Sequence, residues 1–413
     1  MYLTETCDWF LLLKRARSII YLVLQGFCMT RVFVSGQKLL SCAGRSLVEL
    51  RKAWVLANSQ LSFENGRFVG RIATEIKSEI EKAFAHDPKY RRLDFVTKLG
   101  LWISRETLVS LPNKKREEYG VIFATSRGPT ASLEQAVVSH AGGQPPKPTT
   151  SPITTFGSSA AVIAKRFDLL GPHLAISTAC TSSLQAIGIA YELIKARSIP
   201  GILTTGAEAA NTAFFMDTLD STKVTSKAEV GDEFPQKPFH KLRSGMVLSE
   251  GAGSLVIDRL PDAAEAEIIG YGAATDSAGL ASVSPDAMGL QKAMAKAIAT
   301  ADGTTKNDID LVVMHGAGTQ KGDEAELAAV TQFFVDRMPT LTANKWLYGH
   351  MLGAAGIAGV ILGIEHAMGR LEVGLPYENI IPQTKQNKSD YKTVMVLALG
   401  FGGSSAALIL RRC

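Results

Sequence analysis

The stretch GPHLAISTACTSSLQAIGIAYELIKAR, residues 171–197, constrains this chain more than any other. A short β-rich run, residues 173–177, passes through Thr178 and Ala179 into a segment with Leu184, Ile187, Ile189 and Leu193 at apolar positions and Thr181, Ser182 and Ser183 in its first turn. Strand, tight turn and helix together place Cys180 at a helix N-terminus. Unpaired N–H groups and the positive end of the helix dipole favour a thiolate there, the form in which cysteine is a nucleophile. The competing reading is a small buried cysteine that fills the strand–helix corner.

From Arg31 onward, strand-like and helix-like segments alternate, which predicts an α/β fold with buried sheets. Strands are expected over residues 32–35, 120–124 and 201–209, and helices over 46–57, 93–108 and 155–167, with residues 71–84 mixed. The clearest loop, residues 142–152, holds four prolines. The second half repeats the grammar: strands in SLVIDRL and DLVVMHGAG, helices over 288–301 and 323–338, an apolar helix opening at His350, and two closing strands joined by GFGG. A strand or glycine turn that leads into a helix beside a reactive residue thus occurs at both Cys180 and His350. We expect two pseudo-twofold related βα halves, residues 30–257 and 258–413.

Composition narrows the function classes. The chain has 413 residues, 46% of them hydrophobic, and five cysteines without CxxC or Cys/His ligand spacing, so neither a disulfide framework nor a metal site is expected and a reducing, cytoplasmic setting fits. A net charge of +5 without a long basic run points to an acidic protein partner rather than nucleic acid. In residues 1–28 the apolar runs WFLLL and SIIYLVL are split by Lys14, Arg15 and Arg17, too short for a spanning helix. They are read as an extension outside the fold, which would open near Met29; an amphipathic membrane-surface helix is the alternative.

Two histidines, His315 and His350, each sit beside glycine at a predicted strand end or helix start, where open α/β sheets place ligand-contacting groups. The others (His86, His140, His173, His240 and His366) fall in polar loops or on ordinary helix faces and read as structural.

With these residues in place, the chain resembles a β-ketoacyl-[acyl carrier protein] synthase of the elongating Cys-His-His type, in the thiolase superfamily. The resemblance rests on STACTSS around Cys180, PFHKLRSGMVLSEGAGSLV, HGAGTQKGDEAE from His315, NKWLYGHMLGAAG around His350 and LGFGGSSAALIL near the end, in the family's order and spacing. It implies a thiolase-like fold with a layered α-β-α-β-α core. It makes Cys180 the acyl-accepting nucleophile, and His315 and His350 the pair that drives decarboxylation of a malonyl thioester. Lys345 would support the histidines, with Glu326 as its acidic partner. The backbone N–H of Phe401 would join that of Cys180 in an oxyanion hole bordered by Gly402 and Gly403, and Thr319 would hold the pantetheine arm. No cofactor is implied beyond the phosphopantetheine of an acyl carrier protein, the expected partner. A dimer is expected, of two copies or with a related subunit. Thiolases use a second cysteine where this chain has His350, so the decarboxylative, synthetic direction is favoured. A non-catalytic, chain-length-factor-like subunit is the alternative.

The departures are Ala317 in place of a second pantetheine threonine, His240 and Ser244 in place of aspartates, and Leu399, Ser404 and Ser405 at the closing hairpin. They point toward a specialised relative, such as an aryl-polyene or type II polyketide ketosynthase. Lys114, Lys115, Arg116, Lys195 and Arg197 are the expected docking residues for an acidic carrier.

Overall fold

The structure, a computed structural model, describes residues 30–109, 116–262, 264–277, 279, 283–382 and 390–413. The extension expected over residues 1–28, together with Met29, Lys114 and Lys115, lies outside the described residues. The first half runs β1 (Val32–Ser41), α1 (Leu47–Val55), the hairpin β2 (Ser62–Glu64) and β3 (Arg67–Val69), α2 (Thr74–Ala85), α3 (Phe95–Val109), β4 (Gly120–Ala124), α4 (Thr130–Ala141), α5 (Thr150–Thr154), α6 (Ser158–Arg166), β5 (His173–Ile176), α7 (Ser182–Lys195), β6 (Gly201–Glu208), α8 (Ala213–Ser221) and β7 (Gly251–Asp258). The second runs β8 (Ala266–Thr275), α9 (Met288–Thr300), β9 (Leu311–Val313), α10 (Gln320–Phe333), β10 (Thr340–Thr342), α11 (Lys345–Tyr348), α12 (Ala355–Ala367), β11 (Thr393–Gly400) and β12 (Ser404–Arg412).

The strands join in the order β10-β9-β11-β12-β8-β1-β7-β6-β4-β5. Read outward from the middle, β1-β7-β6-β4-β5 and β8-β12-β11-β9-β10 follow one pattern: two antiparallel pairings, then two parallel ones. This is the pseudo-twofold repeat expected from the two strand–turn–helix units. The halves meet where Val32–Val34 of β1 pairs with Ala266–Ile268 of β8.

Helices α7 and α12 form the middle layer. Helix α7 packs on β6 and β4 of one half and on β12 and β8 of the other, while α12 packs on β11 and β12 and on β7 and β1. All thirteen residues of α12 are buried, which is why its sequence is apolar on every face up to Glu365 and His366 in the last turn, where Glu365 pairs with Arg51 and Arg370. Strands β6 and β7, covered on both faces, are likewise buried at every position. Outside, α3 covers β6 and β7, and α9 covers β8 and β12, completing a layered α-β-α-β-α arrangement.

The two central helices approach closely because Gly356 lacks a side chain: a Cβ there would stand 2.6 Å from the Leu184 backbone N. Ser183 Oγ also accepts a hydrogen bond from the Ile357 N–H at 2.9 Å. Several elements differ from the sequence reading. The helix after His350 starts only at Ala355, behind a short 3-10 turn at Leu352–Ala354. Residues 150–154 of the proline-rich loop form a helical turn. Strands β8 and β10 and helix α8 carry no sequence pattern strong enough to announce them.

Gly356→Ala tests this seam. Helix propensity alone would stabilise by up to about 1 kcal/mol, whereas overpacking two buried backbones costs about 1–3 kcal/mol, so denaturant unfolding should show net destabilisation. A more stable variant would mean that the helices are not in contact there.

Candidate active site

Cys180 sits where β5 turns into α7. Ala179, immediately before it, has φ of +52°, a left-handed conformation that costs a non-glycine residue about 1–3 kcal/mol and is kept by its surroundings. Those surroundings are two hydrogen bonds from one hydroxyl: Ser182 Oγ donates to the Ala179 carbonyl at 2.5 Å and accepts from the Thr178 N–H at 2.9 Å. Gly400, at the end of β11, lets a second segment reach the same turn, since a Cβ there would meet the Cys180 N at 3.0 Å and the Thr178 carbonyl at 3.2 Å. The following residue, Phe401, then turns its backbone N–H toward the Cys180 sulfur, alongside the N–H of Cys180 itself. Two N–H donors converging there are what an oxyanion hole requires. Phe401 itself remains 38% exposed.

The resting state of Cys180 differs from the expectation. Burial pushes its thiol up to about 12, against the opposing pull of Lys345 and the two backbone N–H groups. Desolvation thus works against the thiolate that a helix N-terminus favours.

His315 follows β9. Its N–H donates to Glu326 Oε1 at 2.5 Å, and that of Gly316 to Oε2 at 2.8 Å, so Glu326 on α10 fixes the backbone that carries the imidazole. Lys345 donates to the His315 carbonyl, and its Nζ stands 3.5 Å from His315 Nδ1. Glu326 and Lys345 thus grip His315 from two sides, in place of the direct ion pair expected between them. Burial lowers the Lys345 pKa and raises that of Glu326, and their mutual attraction opposes both shifts.

His350 lies in extended backbone after Gly349, whose φ of +80° makes the turn out of α11. Its N–H donates to the Val247 carbonyl at 2.8 Å and its carbonyl accepts from Ser249 N–H at 3.0 Å, pinning it to the segment before β7. Nδ1 accepts from the Leu352 N–H at 3.0 Å, an orientation that requires Leu352 to hold φ at +39°.

The two imidazoles meet edge to face with ring centroids 5.2 Å apart. Both are buried, and burial together with the charge on Lys345 holds both well below the ordinary histidine pKa. The Leu352 N–H at Nδ1 places the hydrogen of His350 on Nε2, and the Lys345 ammonium 3.5 Å from His315 Nδ1 favours the same tautomer there. The site therefore presents two neutral Nε2–H donors.

Among the remaining expected residues, Thr319 caps α10, its Oγ1 accepting from the Gly322 N–H at 3.2 Å, and is half-buried. Gly402 and Gly403 have φ of +77° and +71°; space is open at Gly402, while Gly403 lies against the Asp276 backbone and its carbonyl accepts from Asp276 N–H at 2.7 Å. With His240 and Ser244 in place of aspartates, Arg243 turns to Asp323 at 3.5 Å and Glu324 at 2.9 Å. Ser244 Oγ accepts from Lys227 N–H at 3.0 Å, and the His240 carbonyl accepts from the Arg243 side chain. His366, read as structural, is buried edge-on against Trp54. Lys195 and Arg197 lie at the far end of α7, about 20 Å from Cys180 at 1.5 Å per residue. Lys195 is engaged there with Tyr191 and the Thr300 carbonyl.

Sequence reasoning missed Glu208. This buried carboxyl at the end of β6 accepts from Thr125 Oγ1 at 3.1 Å, from the N–H groups of Ser126 at 2.7 Å and Arg127 at 3.3 Å, and from Gly353 N–H at 3.1 Å. It ties the turn after β4 to the turn after His350. An acidic residue ending the apolar run GILTTGAE was the available signal.

Two family models match the chain, beta-ketoacyl synthase N-terminal domain over residues 43–263 and C-terminal domain over residues 265–367. 3-Oxoacyl-[acyl-carrier-protein] synthase 2 of Vibrio cholerae serotype O1 is 27% identical over 412 residues, covering 92% of this chain and 99% of the relative. Synthase 1 of Escherichia coli K12 is 30% identical over 269 residues, 61% of this chain and 64% of the relative. Among solved structures, the ishigamide ketosynthase/chain length factor superposes with a TM-score of 0.82 at 22% identity, covering 94% of this chain and all of that one. A beta-ketoacyl synthase from Burkholderia phymatum gives 0.79 at 24%, over 93% of this chain and all of that one. At these identities the superpositions show the thiolase-like fold. The family models reach further, because they span both histidine turns and the nucleophile turn whose geometry was just described, and on that match the chain belongs to the beta-ketoacyl synthase family of acyl-transferring condensing enzymes.

Proposed function

We propose that this protein joins an acyl group held on Cys180 to the two-carbon unit of a malonyl thioester, both delivered on the phosphopantetheine of an acyl carrier protein. The observation that carries the reading is a pair of buried histidines held neutral and in contact with each other, and a cysteine whose sulfur faces two backbone N–H groups, all three within the field of Lys345.

In the first half-reaction Cys180 Sγ bonds to the acyl carbonyl carbon, and the carbonyl oxygen becomes an oxyanion between the N–H groups of Cys180 and Phe401. Each such donor is worth about 3 kcal/mol in a transition state. Collapse breaks the bond to the pantetheine sulfur, which leaves with the proton that Cys180 gives up, so no charge remains behind. In the second, the malonyl C–C bond breaks, CO2 departs and charge moves to the thioester oxygen. His315 and His350 stabilise that enolate by donating from Nε2. The enolate carbon then attacks the acyl-Cys180 carbonyl, forming the new C–C bond, and the Cys180 sulfur leaves as a thiolate that takes up one proton from water to restore the thiol. An imidazolium at either position could hold the enolate but would also protonate it, and burial with Lys345 prevents that state.

Intact Cys180, His315 and His350 weigh against a non-catalytic, chain-length-factor-like subunit. The open edge of β5, where His173 and Leu174 are exposed, suits a strand from a second copy or a related subunit. One solved relative pairs a type II polyketide ketosynthase with its acyl-carrier protein. With Ala317 the site has one hydroxyl fewer for the pantetheine arm, which supports a specialised acyl group rather than the general fatty-acid series.

The division of labour predicts that Cys180→Gln abolishes condensation and retains or raises malonyl decarboxylation, because its neutral planar amide fills the oxyanion hole as a loaded acyl-enzyme would. His315→Ala or His350→Ala should leave acyl transfer measurable while CO2 release falls about 100-fold or more. Following labelled acyl transfer and CO2 release in parallel decides it: no CO2 from Cys180→Gln with wild-type release from a histidine variant would refute these roles.

Carrier docking is assigned to the exposed Lys241 and Lys321, on the segments bonded to each other through Arg243 and Thr319, beside the expected Arg116, Lys195 and Arg197. Apparent KM for a carrier-borne substrate should rise with salt and with Lys241→Glu/Lys321→Glu, while KM for a free pantetheine thioester stays constant. Equal effects on both substrates would place docking elsewhere.

A further inference from the structure

The turn that carries the Phe401 N–H is anchored at its far end by a chain of hydroxyl and amide groups outside the roles assigned so far. Thr181 Oγ1 donates its only hydrogen to the Thr178 carbonyl, 2.7 Å away, because a carbonyl can only accept. The 2.7 Å contact between Thr181 Oγ1 and Ser404 Oγ is therefore donated by Ser404. Gln185 Nε2, one turn along α7, donates in turn to Ser404 Oγ at 2.8 Å and to Thr181 Oγ1 at 3.0 Å. Thr181 Oγ1 also lies 3.0 Å from Thr178 Oγ1, and the other hydrogens run one way: Gln185 amide to Ser404 hydroxyl, to Thr181 hydroxyl, to Thr178 carbonyl. Half-buried Ser404 both donates and accepts, and chains of this kind strengthen one another.

Position gives this chain its consequence. Ser404 is the residue after Gly403, and it pairs across the hairpin with Gly400. Gly400 touches the nucleophile turn through its missing side chain, and Ser404 binds the same turn through its hydroxyl, so the residues Phe401–Gly403 are held at both ends against α7. Thr178, where the chain ends, lies two residues before Cys180.

We propose that Ser404, acting through Thr181 and Gln185, is a positioning residue that sets the spacing between the Phe401 N–H and Cys180, and hence the strength of the oxyanion hole. The inference rests on the proposed acyl transfer to Cys180, and it predicts an effect on the steps that form an oxyanion at the Cys180 acyl carbonyl and none on decarboxylation, because the histidine pair is carried by other segments.

The test compares full-length wild type, Ser404→Ala and Ser404→Thr in three measurements: single-turnover acylation of Cys180 by acetyl- and octanoyl-pantetheine, alkylation of Cys180 by iodoacetamide, and CO2 release from malonyl-pantetheine. Loosening a preorganised donor should slow acylation of Ser404→Ala about tenfold or more. Alkylation, which forms no oxyanion, and CO2 release should change less than about twofold, and Ser404→Thr, which keeps the hydroxyl, should recover most of the acylation rate. Unchanged acylation in Ser404→Ala would overturn the proposal. So would a common fall in all three rates with a lowered unfolding midpoint, since that is what a merely structural serine would give. Wild type that is never acylated, while still alkylated, would refute the proposed function itself and this inference with it.

Discussion

Lys345 imposes the constraint on which the rest of the site depends. It is a buried cation that donates to the carbonyl of His315 and lies near Nδ1 of the same residue. Burial makes a positive charge on either imidazole costly, and a cation there adds to the cost. Both rings are thereby kept as neutral donors at ordinary pH. Glu326 is the counterweight: its carboxylate takes the N–H groups of His315 and Gly316, so the lysine's charge is balanced without a direct ion pair that would draw it away from the histidine.

The duplicated topology brings these groups to one place. Each half ends a parallel pair of strands at its own edge, β4-β5 and β9-β10, and the reactive residues follow β5, β9 and β10. The helices that follow, α7 and α12, share the middle layer, so the nucleophile turn and the His350 turn converge. Both turns hold strained backbone, at Ala179 and Leu352, each retained by hydrogen bonds or packing on several sides. Strain is affordable there because α12 is buried along its whole length and α7 along most of it.

Much of this was legible in the residues. Cys180 could be placed because strand, turn and helix each left a pattern, and His315 and His350 because glycines flank them. The start of the second helix was misplaced because MLGAAGIAG is apolar throughout, and an apolar run carries no mark distinguishing a 3-10 turn from α-helix. Strand β10 is three residues long and β8 contains two glycines, so neither shows a clear alternation. The ionisation of Cys180 was misread for a different reason: a helix terminus is visible in sequence, whereas desolvation depends on what the distant β11 turn and α8 pack around it. Glu208 and Ser404 were invisible as site residues because their partners are 145 and 223 positions away in the chain.

The central claim is that His315 and His350 are neutral and carry their hydrogens on Nε2. Nitrogen-15 NMR of histidine-labelled protein, assigned with single-histidine variants, reads both the charge and the tautomer directly as pH is lowered. Burial depresses both pKa values, so the account predicts Nε2–H imidazoles that remain neutral as the pH falls through the ordinary histidine value of 6.5. Imidazolium signals from either residue near neutrality, or a hydrogen on Nδ1, would contradict it.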